Sequence, residues 1–157
     1  MITFKTSHSV AAVAAIAFMT MTAGAQAGEC AAGQIKKNAR EAVKLAASGV
    51  TDTTLGAIDL GKEKAKIKGR ELRFRRMVIE PGGVVPWHSH DDRPALIYVA
   101  EGEILEFASN CAGPIHHKAG DIRAETHGTS HWWKNLSDKP AILLIADVRA
   151  DPNDKHM

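Results

Sequence analysis

The chain lacks a strong net charge. Its 20 Lys and Arg residues against 18 Asp and Glu residues give a formal charge of +2, so composition offers no reason to expect nucleic acid or an anionic membrane as a partner. It also lacks internal repeats and low-complexity linkers, and 157 residues are enough for one domain. A content of 45% hydrophobic and 24% charged residues argues against wholesale disorder.

Long apolar runs are absent as well. The run at residues 10–22 is too short for a comfortable membrane span of about 20 residues. Lys5 precedes it, and Ala25-Gln26-Ala27 follows as a small-x-small cleavage signal. This layout predicts a secretory signal peptide at residues 1–27, the alternative being a disordered or core-packed N-terminal segment. We therefore expect a periplasmic or secreted protein with no stable membrane anchor after cleavage.

Cysteine is scarce. The two cysteines, Cys30 and Cys111, both follow the predicted cleavage point. In an oxidising compartment such a pair is expected to form a disulfide, which would tie an N-terminal segment to a mid-chain loop. Two free thiols are the alternative.

Residues 28–49 are predicted to form an N-terminal helical segment. Between residues 30 and 47, small and apolar side chains fall near one helical stripe, and basic side chains lie largely outside it. Ser48-Gly49 is a reasonable stop signal. We expect this helix to pack against the rest of the domain or against a second subunit. The stripe consists of Ile35, Ala39, Ala42, Val43 and Ala46.

Short segments separated by turn signals fill residues 50–150, which we predict to be one β domain. Many short strands with no further helical window indicate an antiparallel sandwich or barrel. Pro81-Gly82-Gly83 is one of the predicted turns, and residues 151–157 form a polar tail. The predicted strands cover residues 55–60, 71–80, 84–90, 95–100, 103–108, 120–124, 131–135 and 141–148.

Three histidines carry the strongest chemical signal. Residues two apart on a strand point to the same face, so His88 and His90 can reach one ion. A third histidine, His131, opens a later predicted strand. Neutral imidazoles suit iron, zinc, nickel and copper. We expect one divalent transition metal ion, Fe, Zn, Mn, Ni or Cu, on these three residues.

The two histidine blocks resemble the two motifs of the cupin family. This resemblance implies a jelly-roll-like antiparallel β-barrel that holds a metal ion inside the barrel, binds a small molecule and often forms a homodimer. The first block matches with Gly82, His88, His90 and Gly102, and the second with Gly128, His131 and Asn135.

Two departures from the cupin pattern bear on function. Family members with four protein ligands have a glutamate where this chain has Pro94 or Ala95, of which Ala95 is the better match. The second motif has Thr126 in place of the usual proline. Glutamate-dependent activities such as oxalate oxidation are therefore not expected. The remaining three-histidine set resembles that of cupin thiol dioxygenases and of some diketone-cleaving dioxygenases.

A fourth ligand could come from the segment before His131. Glu125 and His127 would share its strand face if the pairing were regular, although Gly128 favours a turn there. Both are therefore possible extra ligands.

Other residues are candidates for the pocket. Trp133 and Asn135 share the parity of His131 and are expected to line the cavity, with core filling as the alternative for Trp133. Arg93 could hold an anionic substrate or form a surface salt bridge. Tyr98 alternates with Ala95 and Ile97 along its predicted strand and is therefore expected to point outward. His116-His117 is predicted to be an exposed loop pair.

Two functions follow from the open three-histidine site. The first is a metal-dependent dioxygenase or related oxidoreductase acting on a small molecule. The alternative is a non-catalytic module that binds a metal or a small ligand. This alternative is strengthened because an exported protein acquires its metal in competition with zinc and copper, which bind more tightly than iron. A structural barrel without chemistry fits the intact histidines least.

Overall fold

The computed structural model describes residues 28–150. The predicted signal peptide and the predicted polar tail lie outside the described residues. Within residues 28–150, no helix has the length and apolar character needed to cross a membrane. The regular elements of this range are eight strands: β1 Ser48–Asp59, β2 Glu71–Ser89, β3 Ala95–Glu101, β4 Glu103–Ala108, β5 Ile115–Lys118, β6 Ile122–Glu125, β7 Ser130–Lys134 and β8 Ala141–Arg149.

All eight strands belong to one sheet that curls into a half-barrel. The order is β5-β4-β7-β2-β8-β3-β6, and β1 pairs with the free side of β2. The main pairings are antiparallel. The all-β antiparallel prediction is therefore confirmed.

Side chains alternate across the sheet as the period-two pattern requires. In β8, Leu143 and Ile145 are buried while their neighbours are half-exposed. Tyr98 on β3 is 41% exposed, so its predicted outward direction is correct. The buried core on the inner face consists of Met77, Ile79, Val85, Ala95, Ile97, Val99, Ile104, Trp133, Ala141, Leu143 and Ile145.

The predicted turn at Pro81-Gly82-Gly83 is instead a bend within the single long strand β2. Gly82 has a φ of +75°, which glycine adopts without steric cost. A Cβ at Gly83 would lie 2.8 Å from the carbonyl oxygen of Glu80, so this position requires glycine. The two glycines allow the strand to change direction without ending.

The bend in β2 positions the candidate site. Before the bend, β2 pairs with β8, and after it with β7. Asn135 fixes the junction: its backbone N–H donates to Gly83 O at 3.0 Å, and its side-chain amide donates to Ile79 O at 2.9 Å. As a result, His88 lies directly opposite His131.

The predicted N-terminal helix is wrong. Residues 30–47 form turns and irregular chain, because several of their backbone groups bond to the loop after β4 instead of forming the repeated bonds of a helix. Lys36 N–H donates to Asn110 O at 3.0 Å, and Ala39 N–H donates to Ser109 O at 2.7 Å. Arg40, which the helix would have placed in solvent, donates to Ala112 O at 2.8 Å. These tertiary contacts override the helical periodicity.

The two cysteines are joined, as predicted. The Cys30–Cys111 disulfide spans a sequence separation of 81 residues. Cys30 packs against a small second core formed by Ala108, Cys111 and Ile115. The bond thus holds the irregular N-terminal segment against the loop that follows β4.

The sequence does not predict strand β5. Because His116 and His117 lie on this strand, the prediction that both are exposed in a loop is wrong. The alternation of β5 leaves His116 exposed but turns His117 inward, where it is fully buried. His117 lies opposite Ile104 of β4. Four residues are too few to produce a clear alternating pattern in the sequence, so this strand was not predicted.

Candidate metal centre

Three imidazole rings converge on the inner face of the curled sheet. His88 and His90 stand two apart at the end of β2, and His131 belongs to β7. Their Nε2 atoms form a triangle: His88–His90 is 3.1 Å, while His90–His131 and His88–His131 are each 3.0 Å. His90 N–H also donates to Thr129 O at 2.9 Å, which holds the end of β2 against the start of β7.

The hydrogen bonds of the outer ring nitrogens determine the tautomers. His88 Nδ1 lies 2.9 Å from Pro86 O, and His90 Nδ1 lies 2.8 Å from Arg93 O. A carbonyl oxygen only accepts, so each Nδ1 must carry the proton. In the neutral rings, the Nε2 lone pairs therefore point into the triangle, where they repel one another unless a cation lies between them.

His131 is oriented by acidic side chains. Its Nδ1 lies 2.9 Å from Glu106 Oε1 and 3.2 Å from Glu125 Oε1. When the ring is neutral, its Nε2 accepts a hydrogen bond from the Trp133 indole at 3.2 Å, a contact that a bound cation would replace. A carboxylate behind a histidine fixes the ring and makes it more basic, as is typical of metal-binding histidines.

The three rings differ in basicity. Burial, followed by the charge on His131, lowers the pKa of His88 to about 2 and that of His90 to about 4. Burial also acts to lower the pKa of His131, but the hydrogen bonds to Glu106 and Glu125 outweigh it and raise that pKa to about 9. His88 and His90 are therefore neutral, and the buried acids Glu106 and Glu125 favour a positive charge at His131. A set of this kind fits a metal cation.

Behind His131 lies a buried polar network that the sequence argument missed. Glu106 is fully buried, and its Oε2 accepts from His117 Nε2 at 2.9 Å. Burial alone would raise the pKa of Glu106, but the bonds to His117 and His131 hold it well below its usual range. Arg123 Nε bridges the acids, 3.2 Å from Glu106 and 3.1 Å from Glu125. The sequence signal that could have placed Glu106 inside is the alternation of β4, because Glu106 is two residues from the buried Ile104 and so faces the same side.

The free space in front of the histidines is narrow and has room for about one water molecule. Trp133 is among its walls. Arg75 of β2 is the one cation among the described residues that line this space. The other walls are apolar: Met77, Val85, Ile97, Leu143 and Ile145.

The two possible extra ligands lie in different places. Glu125 ends β6 and is fully buried, but its contact is with Nδ1 of His131, on the other side of the ring from the Nε2 triangle. His127 lies beyond the strand near Gly128, and its side chain is 87% exposed beside Asp91. The structure therefore brings Glu125 to the back of the site and does not bring His127 to it.

Two other candidates are buried beside the site rather than in it. Asn135 donates to Ile79 O and Lys139 O and accepts from Ser137 N–H, which stabilises the β2 bend and the turn after β7. Arg93 is only 4% exposed, so it is not a surface residue. Ala95 faces inward opposite Glu125, and no carboxylate occupies the family's glutamate position.

The profile of one family, described as "Cupin domain", matches residues 75–147, the part of the chain that carries the histidines, the β2 bend and Glu106. Residues 75–147 are a cupin domain.

Curated relatives of this cupin include germin-like proteins. Germin-like protein 5-1 of Oryza sativa subsp. japonica is 30% identical over 108 residues, which cover 65% of this chain and 49% of the relative. Germin-like protein subfamily 2 member 1 of Arabidopsis thaliana is 32% identical over the same shares. The chain thus spans about half the length of the curated relatives it matches.

Solved structures share the cupin fold. KdgF from Halomonas sp. aligns with a TM-score of 0.52 at 16% identity, covering 76% of this chain and 94% of that one. The cupin domain of Schizosaccharomyces pombe Cnp3 aligns at 0.50 with 13% identity, covering 66% of each chain. Oxalate oxidase in complex with glycolate aligns at 0.50 with 21% identity, covering 67% and 53%.

Proposed function

We propose that this cupin binds one divalent transition metal ion through His88, His90 and His131, and that the metal centre serves a small-molecule oxidoreductase of dioxygenase type. The observation that carries the proposal is the triangle of three Nε2 atoms 3.0–3.1 Å apart. Because two of the rings hold their protons on Nδ1 against carbonyl oxygens, their lone pairs are available to an ion.

The site supports metal chemistry in three ways. His88, His90 and His131 would hold the ion with three nitrogens, and such a ligand set leaves coordination positions for water or substrate. Such an ion would supply Lewis acidity and, if it is redox-active, dioxygen chemistry. The apolar walls exclude bulk water, and Glu106 orients the ring of His131. Ala95 offers no carboxylate, so we do not propose germin-type oxalate oxidation.

Elemental analysis tests the proposed function. The protein, purified without a histidine tag, should contain about one equivalent of a transition metal. His88→Ala and His131→Ala should lose the metal. His116→Ala should keep it, because His116 is exposed and pairs with Glu103 rather than with the triangle. Stoichiometric iron that consumes oxygen with thiols or diketones would support the dioxygenase assignment. Unchanged metal content in both triangle variants would rule out the ligand set.

A non-catalytic binding module is the second candidate. The narrow space in front of the histidines favours it, since about one water molecule fits there. In this case the metal-loaded protein would bind a small ligand without oxygen consumption. The same elemental and oxygen measurements separate the two functions.

We also propose that the protein works in an oxidising compartment, periplasmic or secreted. The Cys30–Cys111 disulfide supports this, because such bonds persist in secreted proteins and are rare in the cytosol. The signal peptide predicted at residues 1–27 would deliver the chain there.

A homodimer is the proposed assembly, supported by an apolar outer face of the sheet opposite the histidine site. The strand register aligns this face into two rows that cross four strands, and large side chains in them, such as Leu96 and Ile122, are 57% and 64% exposed. One row is Phe74, Ala146, Leu96 and Ala124; the other is Arg76, Leu144, Tyr98 and Ile122.

A second copy of the chain is the occupant that fits this face. The face carries a single charge, Arg76, in its two rows, so an identical surface meets it without burying many unpaired charges. It continues to the exposed strand β1, where Ile58 lies opposite Leu72. Among the described strands, β1 pairs with β2 alone, and such an exposed edge favours pairing with another chain.

A further inference from the structure

Arg75 is a buried cation at the candidate metal centre. It lies on β2 with its side chain turned to the inner face, is only 3% exposed, and borders the same narrow space as His88 and His90. Buried arginine is retained where its charge is paired with an acid or a ligand. The role of Arg75 therefore depends on the partner of its guanidinium group.

The nearby acids satisfy Arg75 incompletely. Asp147 accepts from Arg73 with both carboxylate oxygens, at 2.9 and 2.6 Å. Arg75 Nε lies 3.4 Å from Asp147 Oδ2 but makes no hydrogen bond, and it is buried without a hydrogen-bond partner among the described residues. The hydrogen bond that Arg75 makes within residues 28–150 is from Nη1 to Asp52 on the exposed edge strand β1.

The electrostatics of the site point the same way. The guanidinium of Arg75 brings a positive charge to the same buried space that His88 and His90 line. A bound metal ion would make this space still more positive, and a negatively charged ligand would be stabilised there.

We propose that Arg75 is the residue that recognises the ligand at this site, and that the ligand is a small carboxylate whose oxygen takes the unbonded side of the guanidinium. The location beside the metal rests on the proposed function. A planar carboxylate matches the donor geometry of arginine. The space as it stands holds about one water molecule, so the flexible side chain of Met77 in its wall must move to admit even the smallest carboxylates.

Isothermal titration of the metal-loaded protein with formate and acetate at constant ionic strength tests the proposal, with neutral acetamide as the comparison ligand. Arg75→Met should weaken carboxylate binding about tenfold or more, because charge-assisted hydrogen bonds are lost. Lys68→Met is the matched control, since Lys68 is exposed in the turn between β1 and β2, outside both the narrow space and the proposed dimer rows, and it should leave the affinity unchanged. Equal acetate affinity in the wild type and Arg75→Met would overturn the proposal.

A second variant covers the case in which Arg75→Met does not fold. Asp52→Asn removes the carboxylate that competes for the guanidinium, so acetate should bind more tightly than in the wild type. If Arg75 served only to fasten β1, this variant would leave acetate binding unchanged or weaker, which would equally overturn the proposal.

Metal content measured on the same samples separates this proposal from the proposed function. Arg75→Met should retain the wild-type metal content, because it provides no ligand nitrogen to the triangle. A wild-type protein without metal would contradict the proposed function, and the acetate titrations on the metal-free chain would still decide the role of Arg75.

Discussion

Glu106 Oε1 lies 2.9 Å from Nδ1 of His131, while Nε2 of the same ring faces His88 and His90. The carboxylate thus acts on the histidine from behind and fixes which nitrogen is presented to the site. His117 holds the other oxygen of Glu106 at 2.9 Å. The ring orientation at the candidate metal centre therefore depends on a residue that belongs to neither histidine motif.

Replacing Glu106 by Gln should lower metal affinity about 10- to 100-fold, because the isosteric amide keeps the volume but loses the charge that makes His131 more basic. A competition titration against a chromophoric chelator measures the change, and circular dichroism checks the fold.

The control for this variant is Glu103→Gln on the same strand, where the exposed carboxylate pairs with His116 at 2.9 Å. It should bind metal as the wild type does. If Glu106→Gln also retained wild-type affinity, Glu106 would be a structural acid without influence on the metal.

The apolar outer face predicts the oligomeric state. Wild-type protein should be a dimer by light scattering, and the double variant Leu96→Lys, Ile122→Lys should be a monomer, because both lysines would meet an identical charged face. Leu136→Lys is the matched control, since Leu136 is 65% exposed but lies in the turn after β7. A monomeric wild type, or a dimeric double variant, would contradict the proposed interface.

Much of the site could be predicted because it depends on local rules. The two-residue spacing of His88 and His90 places both rings on one face of any strand, and the cupin motif supplies His131 as the third. The alternation in β3 also predicts the outward direction of Tyr98 correctly.

What the sequence could not supply depends on contacts between distant segments. The helical stripe of residues 30–47 is genuine, yet the loop after β4 binds backbone groups of this segment, and the disulfide to Cys111 fixes its first residue, Cys30. The bend at Gly82-Gly83 has the sequence of a turn, and only the pairing with β7 continues the strand. Glu106 could have been placed inward by parity, but its contact with His131 depends on the register of β4 against β7.

Stability toward acid should depend on Asp147, which is 1% exposed and binds Arg73 through both oxygens. Burial acts to raise the pKa of Asp147, but the hydrogen bonds from Arg73 and the charges of Arg75 and Arg73 outweigh it and lower that pKa. A carboxyl group with a lower pKa in the folded state stabilises the fold above its unfolded pKa of about 3.9. That contribution is lost as the pH falls from about 4 through the folded value.

Asp147→Asn should therefore reduce the free energy of unfolding at pH 7 by about 3 kcal/mol or more, because it removes the acid from the buried ion pair with Arg73. The difference from the wild type should shrink as the pH is lowered below about 4, since the wild-type carboxylate is then protonated as well. Urea unfolding between pH 7 and pH 2.5 measures this, with the exposed Asp138→Asn as the control. A destabilisation that stays constant over this range would show that the cost of Asp147→Asn comes from packing, and that the ion pair with Arg73 contributes no pH-dependent stability.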